Sequence, residues 1–199
     1  VKAICITHAH LDHVGAVPYY INDFNVPVHG TRFTINVLET ILKDKRMKFD
    51  APLKRHPTDC TFEVSENISI EFINTTHSTV QSVAVVVHTP DGCVIYTPDY
   101  KLDNAPTLGD RPNYKAFRNL KDVKALIADS LYSEGGKTPS ESVAREMLRD
   151  VLLGTTTHGK NIIATTFSSH IARLKTIVEL AEDIGRKPVI IGRSLAKYI

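Results

Sequence analysis

The segment Thr7-His8-Ala9-His10-Leu11-Asp12-His13 gathers three imidazoles and a carboxylate directly after the apolar run Val1 to Ile6. Imidazole nitrogen and carboxylate oxygen together suit zinc and related divalent ions. In an extended chain residues two apart point the same way, so His8 and His10 can grip one ion. Asp12 and His13, at the turn into a following helix, can face a second ion a few ångströms away, as two-metal hydrolases require. The alternative is a chance cluster of surface histidines.

A second constellation lies later. Ser168, Ser169 and His170 sit where a strand meets a helix N-terminus, and hydroxyls beside free N–H groups make a phosphate site. Simple capping by Ser168 or Ser169 is the competing use of the same residues. Arg193, in Gly192-Arg193-Ser194, can approach from the end of a neighbouring parallel strand. His29, His56, His88 and His158 stand apart in sequence without evident partners and are expected to be surface or satisfied core histidines.

The elements that must position these groups follow from periodicity. Residues 1–7 read as a short buried strand feeding the histidine loop. Val14, Val17, Ile21 and Phe24 recur at helical spacing, and Asn25 and Pro27 break the pattern before a strand at Val26 to His29. A second helix is expected over 32–46. Extended stretches follow at Thr61 to Val64, Ile68 to Thr75, Ser82 to Thr89 and Cys93 to Thr97, the last two joined as a hairpin by Pro90-Asp91-Gly92. Val123 to Ala128 reads as another buried strand, ending at Asp129. Thr138-Pro139-Ser140-Glu141 is a capping box with Pro at the first helical position, predicting a helix from 139 to about 153. Asn161 to Phe167, a helix from Ser169 to about Ile184, and Pro188 to Ile191 then form a strand-helix-strand unit with a right-handed crossover. A boundary near Gly135-Gly136-Lys137 divides the chain into residues 1–135 and 136–199.

Composition narrows the classes. The chain has 199 residues, 42% of them hydrophobic, enough for a buried core, and no apolar run approaches the ~20 residues of a membrane span. No signal peptide opens it, so a cytoplasmic protein without a membrane partner is expected. Cys5, Cys60 and Cys93 lie far apart with no CxxC pair, so neither a disulfide framework nor a thiolate zinc site is suggested and they read as buried thiols. The net charge of +2 hides an asymmetry: residues 1–135 carry 14 Lys and Arg against 16 Asp and Glu, residues 136–199 carry 10 against 6. A basic final third fits a polyanion partner, although such a balance is also that of an ordinary solvated surface.

The H-x-H-x-D-H signature on a strand-to-helix loop resembles the metallo-β-lactamase superfamily. That resemblance implies an α/β fold, a four-layer αββα sandwich, with further ligands on later strand ends. It places His77, after the strand Ile68 to Ile73, as the third histidine and Asp99, after Cys93 to Thr97, as a carboxylate shared by both ions. The metal set it implies is therefore His8, His10, Asp12, His13, His77 and Asp99, holding two divalent ions: zinc, with manganese or magnesium as alternatives.

The stretches Ala128-Asp129-Ser130-Leu131-Tyr132-Ser133-Glu134, Thr138-Pro139-Ser140-Glu141, Ala164 to His170 and Gly192-Arg193-Ser194 further resemble the β-CASP branch, whose members insert a parallel α/β nucleic-acid-handling domain into the lactamase fold. Within that branch the similarity is to ribonuclease J, which shares Asp129 where messenger 3′-end processing endonucleases carry Glu. The resemblance implies a metal-dependent ribonuclease acting on single-stranded RNA from the 5′ end or internally, alone, as a homodimer or in a larger RNA-decay assembly. Asp12 would hold and help deprotonate the attacking water, and Asp129 would hydrogen-bond a ligand histidine. A plain strand-end cap is the other role open to Asp129.

Members of the branch carry strands before the first cluster and two later histidines, one a ligand of the second ion. Their absence implies a fragment with an incomplete sandwich, one full metal position (His8, His10, His77, Asp99), a second short of a ligand, and little activity alone. A hydrolase of small esters and a non-catalytic paralogue are the rival classes. The strand-helix-strand unit argues against the first, and the intact His and Asp set argues against the second.

Overall fold

The computed structural model describes residues 1–192, 194, 195 and 198. Its elements run β1 (Ile4–Cys5), α1 (Leu11–Val14), α2 (Val17–Phe24), β2 (Val28–Thr31), α3 (Arg32–Asp44), β3 (Leu53–His56), β4 (Cys60–Ser65), β5 (Ile68–Asn74), β6 (Val83–Thr89), β7 (Gly92–Thr97), α4 (Tyr114–Asn119), β8 (Val123–Ala128), α5 (Glu141–Gly154) and α6 (Ile171–Asp183). Strands β1, β2 and β3 form a parallel sheet. Strands β4 to β8 form a second sheet in sequence order, antiparallel except that β8 runs parallel to β7.

Side-chain alternation explains why the two sheets face each other. In β5 and β6, Ile70, Phe72, Val83 and Val85 point to one side and meet Cys5 of β1 with Cys60 and Phe62 of β4. On the other side Ile73, Ala84, Val86, Cys93 and Ile95 are covered by Ala116, Phe117 and Leu120 from α4 and its end. The apolar stripe of α3 (Ile35, Leu38, Ile41, Leu42) joins Val14, Val17, Ile21 and Val28 over the first sheet. Helices, sheet, sheet and helix thus stack as αββα, as expected.

The hairpin between β6 and β7 turns as the sequence predicts. Gly92 has φ +121, and a Cβ there would lie 2.4 Å from the Asp122 carbonyl oxygen, so the turn and the start of β8 need glycine.

Several expectations are corrected. The helical run from Val14 to Phe24 is broken after Gly15, because Pro18 fits only the first turn of a new helix. Strand β3, Leu-Lys-Arg-His, lacks an apolar pattern and forms because its backbone pairs with β2. Helix α4 is six residues, started by Asn113, whose side chain accepts from Ala116 N–H at 3.0 Å. Strand β8 is exposed at every position instead of buried, since only β7 covers it. The cap of α5 is Ser140, accepting from Val143 N–H, two residues beyond the expected Thr138. Residues 161–167 and 188–191 lie in no strand, so the strand-helix-strand unit is reduced to α6 among the described residues. Most of those residues are exposed, Ile163, Phe167 and Ile191 at 89%, 81% and 87%, and their backbone pairs with no strand among the described residues. No helix of the described residues is long and apolar enough to cross a membrane.

Three of the supposedly unpartnered histidines have partners. His29 Nδ1 and His56 Nε2 are 2.9 Å apart, and both rings stack on Phe62, at 4.6 and 3.9 Å between centroids, bridging the sheets. His88 pairs with Glu71 across β5 and β6 at 2.8 Å. Burial, with His56 and Lys54 adding positive charge, pushes His29 down to about 4. A base held neutral in the folded state stabilises above its unfolded pKa near 6.5 and loses that stabilisation as pH falls through the folded value. Urea midpoints should therefore fall between pH 6.5 and 4 by an amount worth up to about 3 kcal/mol, and by less in His29→Gln. Parallel pH profiles for the two proteins would show that this pair does not govern acid stability.

Candidate metal centre

The loop after β1 is drawn inward by main-chain bonds: Ile6 N–H donates to His29 O at 2.8 Å and Val83 N–H donates to Thr7 O at 3.0 Å. His8 is consequently fully buried at the ends of both sheets. His10 precedes α1, and Asp12 and His13 lie in that single turn. His77 follows β5 and Asp99 follows β7, so the ends of three strands converge.

The six side chains form two overlapping groups. Ligand atoms of His8, His10, His77 and Asp99 lie within 4.8 Å of one another, as do those of Asp12, His13 and Asp99. His8 Nε2 is 3.2 Å, and His77 Nε2 3.0 Å, from His10 Nδ1. Asp99 Oδ2 is 3.5 Å from His13 Nε2, 3.6 Å from His77 Nε2 and 3.9 Å from His8 Nε2, which puts this carboxylate between the groups. Asp12 Oδ2 is 3.5 Å from His13 Nε2 and is itself largely exposed.

The donor set fits divalent metal ions on three observations. Three imidazoles and a carboxylate with convergent donor atoms match the usual borderline ligand chemistry. Burial, reinforced by the neighbouring rings, pushes His8 well below the ordinary imidazole range, and burial likewise lowers His77, to about 4, and His10. All three are therefore neutral near pH 7, the form that ligates. Finally, the outward nitrogens are held: His8 Nδ1 lies 3.1 Å from Thr7 Oγ1 and His10 Nε2 lies 3.1 Å from Ser78 Oγ. With those nitrogens as donors, the lone pairs of His8 Nε2 and His10 Nδ1 face inward.

Asp129 is placed differently from its expected partner. Its Oδ1 accepts from Leu131 N–H at 3.0 Å, capping the turn after β8, and no hydrogen bond or ion pair joins it to a histidine among the described residues. The turn offers an unpaired N–H two residues on, which a short carboxylate reaches first. The cap of α6 is His170, whose Nδ1 accepts from Arg173 N–H at 3.3 Å, while Ile171 N–H donates to Ser78 O and Ser169 O, each at 3.1 Å. Ser168 and Ser169 are half-buried and their hydroxyls are unbonded among the described residues. Arg193 lies outside the described residues.

Thr7 and Ser78 escape sequence reasoning because a hydroxyl next to a histidine carries no signal of its own. So does a buried ionic cluster of Lys101, Asp103, Glu141, His170 and Arg173 beside the centre. Glu141 reads in sequence as a routine capping residue, although its carboxylate faces inward.

Comparison with known proteins places this geometry. The family model "Metallo-beta-lactamase superfamily" matches residues 1–153, and "Ribonuclease J, beta-CASP domain" matches residues 159–199. Similar curated proteins are "Ribonuclease J" of Pyrococcus abyssi (strain GE5 / Orsay), 45% identical, and "Ribonuclease J" of Methanocaldococcus jannaschii, 41% identical. Each alignment covers 100% of this chain and 45% of the relative, so the chain spans a little under half the length of those relatives. "Ribonuclease J 1" of Streptococcus pyogenes serotype M3 is 34% identical over 100% of this chain and 35% of its own length. The crystal structure of a protein of unknown function from Enterococcus faecalis V583 shares the fold, with a TM-score of 0.65 at 19% identity over 97% of this chain and 54% of that one. With the strand-end His and Asp set, the αββα stack and a family match across residues 1–153 all in agreement, the chain belongs to the metallo-β-lactamase superfamily.

Proposed function

We propose that the protein is a metal-dependent ribonuclease of the ribonuclease J type, acting in the cytoplasm on single-stranded RNA. The observation that carries this reading is the pair of His and Asp groups hinged on Asp99, combined with 41–45% identity to two proteins named ribonuclease J. His8, His10, His77 and Asp99 would hold one ion, and Asp12, His13 and Asp99 would contribute to a second. Zinc is the proposed metal, given three imidazoles in the first group, with manganese or magnesium as alternatives. When bound, two such ions would supply Lewis-acid chemistry, activating water near neutral pH and neutralising charge on a scissile phosphate. Asp12, exposed at the edge of the second group, would orient the attacking water and take its proton. Asp12 and Asp99 both present carboxylate to solvent, so a charged polymer can approach them.

The 5′-end reading rests on residues after position 167. Because His170 caps α6, the hydroxyls of Ser168 and Ser169 remain available to a phosphate, and short side chains suit a monophosphate better than a bulkier triphosphate. We propose 5′-to-3′ trimming with preference for a 5′-monophosphate. Full-length protein should degrade end-labelled RNA bearing a 5′-monophosphate at least about 10-fold faster than the 5′-triphosphate, a difference of about 1.4 kcal/mol. The Ser168→Ala, Ser169→Ala double variant should lose most of that preference. Equal rates on hydroxyl, monophosphate and triphosphate ends would favour internal cleavage instead.

A further inference from the structure

Asp103 and Glu141 are buried carboxylates, 5% and 6% exposed, outside the metal groups. Such groups persist only with close compensation, and Glu141 has it from two cations. Its Oε1 accepts from Lys101 Nζ at 2.8 Å, and its Oε2 accepts from Arg173 Nη2 at 3.0 Å and Nε at 3.2 Å. His170 Nε2 lies 3.6 Å away. The main-chain N–H of Glu141 donates to Asp103 Oδ2 at 2.7 Å. Burial alone would push the carboxyl up, but Lys101, His170 and Arg173 outweigh it and hold Glu141 below the ordinary carboxylate range.

What this cluster is tied to matters more than its own strength. Lys101 is two residues after Asp99, and its N–H donates to Thr76 O at 2.9 Å. Asp103 N–H donates to Thr76 Oγ1 at 2.7 Å, and Thr76 immediately precedes His77. On the other flank, Ile171 N–H at the start of α6 donates to Ser78 O, and Ser78 Oγ contacts His10 Nε2. A cavity of about 20 Å³, room for roughly one water, is bounded by His77, Lys101, Asp103 and Glu141, so these groups meet with little solvent between them. Two of the four members of the first ligand group, His77 and Asp99, are therefore set on backbone next to residues that Glu141 ties to α5 and α6, and a third, His10, is reached through the side chain of Ser78.

We propose that Glu141 is a positioning residue for the metal centre: by locking α5 and α6 onto the loops that carry His77, Ser78 and Asp99, it fixes ligand geometry. A carboxylate serving only as a brace would raise stability and leave the centre's shape unaffected. The inference rests on the ribonuclease reading for its kinetic arm alone.

The test compares full-length wild type with E141Q, which preserves shape and removes the charge, and with R173K, which retains the charge and loses the fork if E141Q does not fold. Three readouts apply. Cobalt(II) should load both proteins, with an altered visible absorption band in E141Q. On RNA, kcat should fall about 10- to 100-fold with KM changed less than about 3-fold, as expected when outer groups that orient ligands are disturbed. In metal-free protein, amide exchange across residues 76–78 and 101–105 should accelerate. An E141Q protein with wild-type cobalt spectrum, kcat and exchange, even if its Tm drops, would overturn the proposal. A wild type that takes up metal yet never cleaves RNA would instead defeat the ribonuclease reading, and the spectrum and exchange would still decide the role of Glu141.

Discussion

Replacing Asp99 by Ala should leave the full-length protein without tightly bound metal and lower RNA hydrolysis by at least about 10³-fold. The expectation follows from position. Asp99 is the member common to both ligand groups, with Oδ2 within 3.5–3.9 Å of three imidazole nitrogens. Losing it removes the anionic donor of the first group and the link to the second. Charge stabilisation by the ions is worth several kcal/mol, and each ~1.4 kcal/mol is a factor of ten in rate. Elemental analysis after gel filtration, with kinetics on a labelled oligoribonucleotide, reads both effects. His13→Ala should be milder in metal content, costing the second group alone, whereas His77→Ala should empty the first. An Asp99→Ala protein holding two ions would mean that the shared carboxylate is not a ligand.

The largest effect on folding is expected at Phe72. It is 1% exposed in β5 between the sheets, meeting Phe62 edge-on at 5.2 Å and His56 at 5.8 Å between ring centroids. Phe72→Ala removes a full ring from a close-packed layer that cannot collapse without moving a strand, so the cost should be about 3–5 kcal/mol. Thermal unfolding should then begin about 10 °C lower, at ~2–4 °C per kcal/mol for a chain of this size. Phe62→Ala, at a half-buried position, should cost less. The metal groups should survive in folded Phe72→Ala protein. The start of the His77 loop is pinned separately, by Asn74 N–H on Asp59 Oδ1 at 2.9 Å and Asn74 Nδ2 on Arg111 O at 2.8 Å. Equal losses from the Phe62 and Phe72 variants would show that burial does not rank them.

Legibility in the sequence followed the physics of each element. Strands β4 to β7 were readable because Ile68 to Asn74 and Val83 to Thr89 bury alternate or continuous β-branched runs, and because Pro90-Asp91-Gly92 allows one turn. Strand β3 was invisible: Lys54 and Arg55 face solvent, and its pairing to β2 is a main-chain property. The reverse error occurred at residues 161–167, where Ile162, Ile163 and Phe167 look like a buried strand yet are exposed without a ladder. Spacing alone grouped His8, His10, Asp12 and His13, since they lie within one loop. His77 and Asp99 needed the family resemblance, because nothing local distinguishes a ligand from a loop residue. Glu141 was misread for a related reason: an acidic residue in a first helical turn is ordinary, and only the distant Lys101 and Arg173 make it otherwise.

The contacts from Thr7 to His8 and from Ser78 to His10 bear on how an ion would enter the site. An imidazole carries one mobile proton and two places to keep it, and an ion can enter only where the proton is not. With the protons of His8 Nδ1 and His10 Nε2 donated to the hydroxyls of Thr7 and Ser78, the nitrogens that face the ligand groups stay open, and capture asks for no proton hop. Many small metal domains take shape only around their ion. In this chain two of the ligand rings are also held by hydroxyls outside the ligand set, so their orientation does not rest on the ion alone.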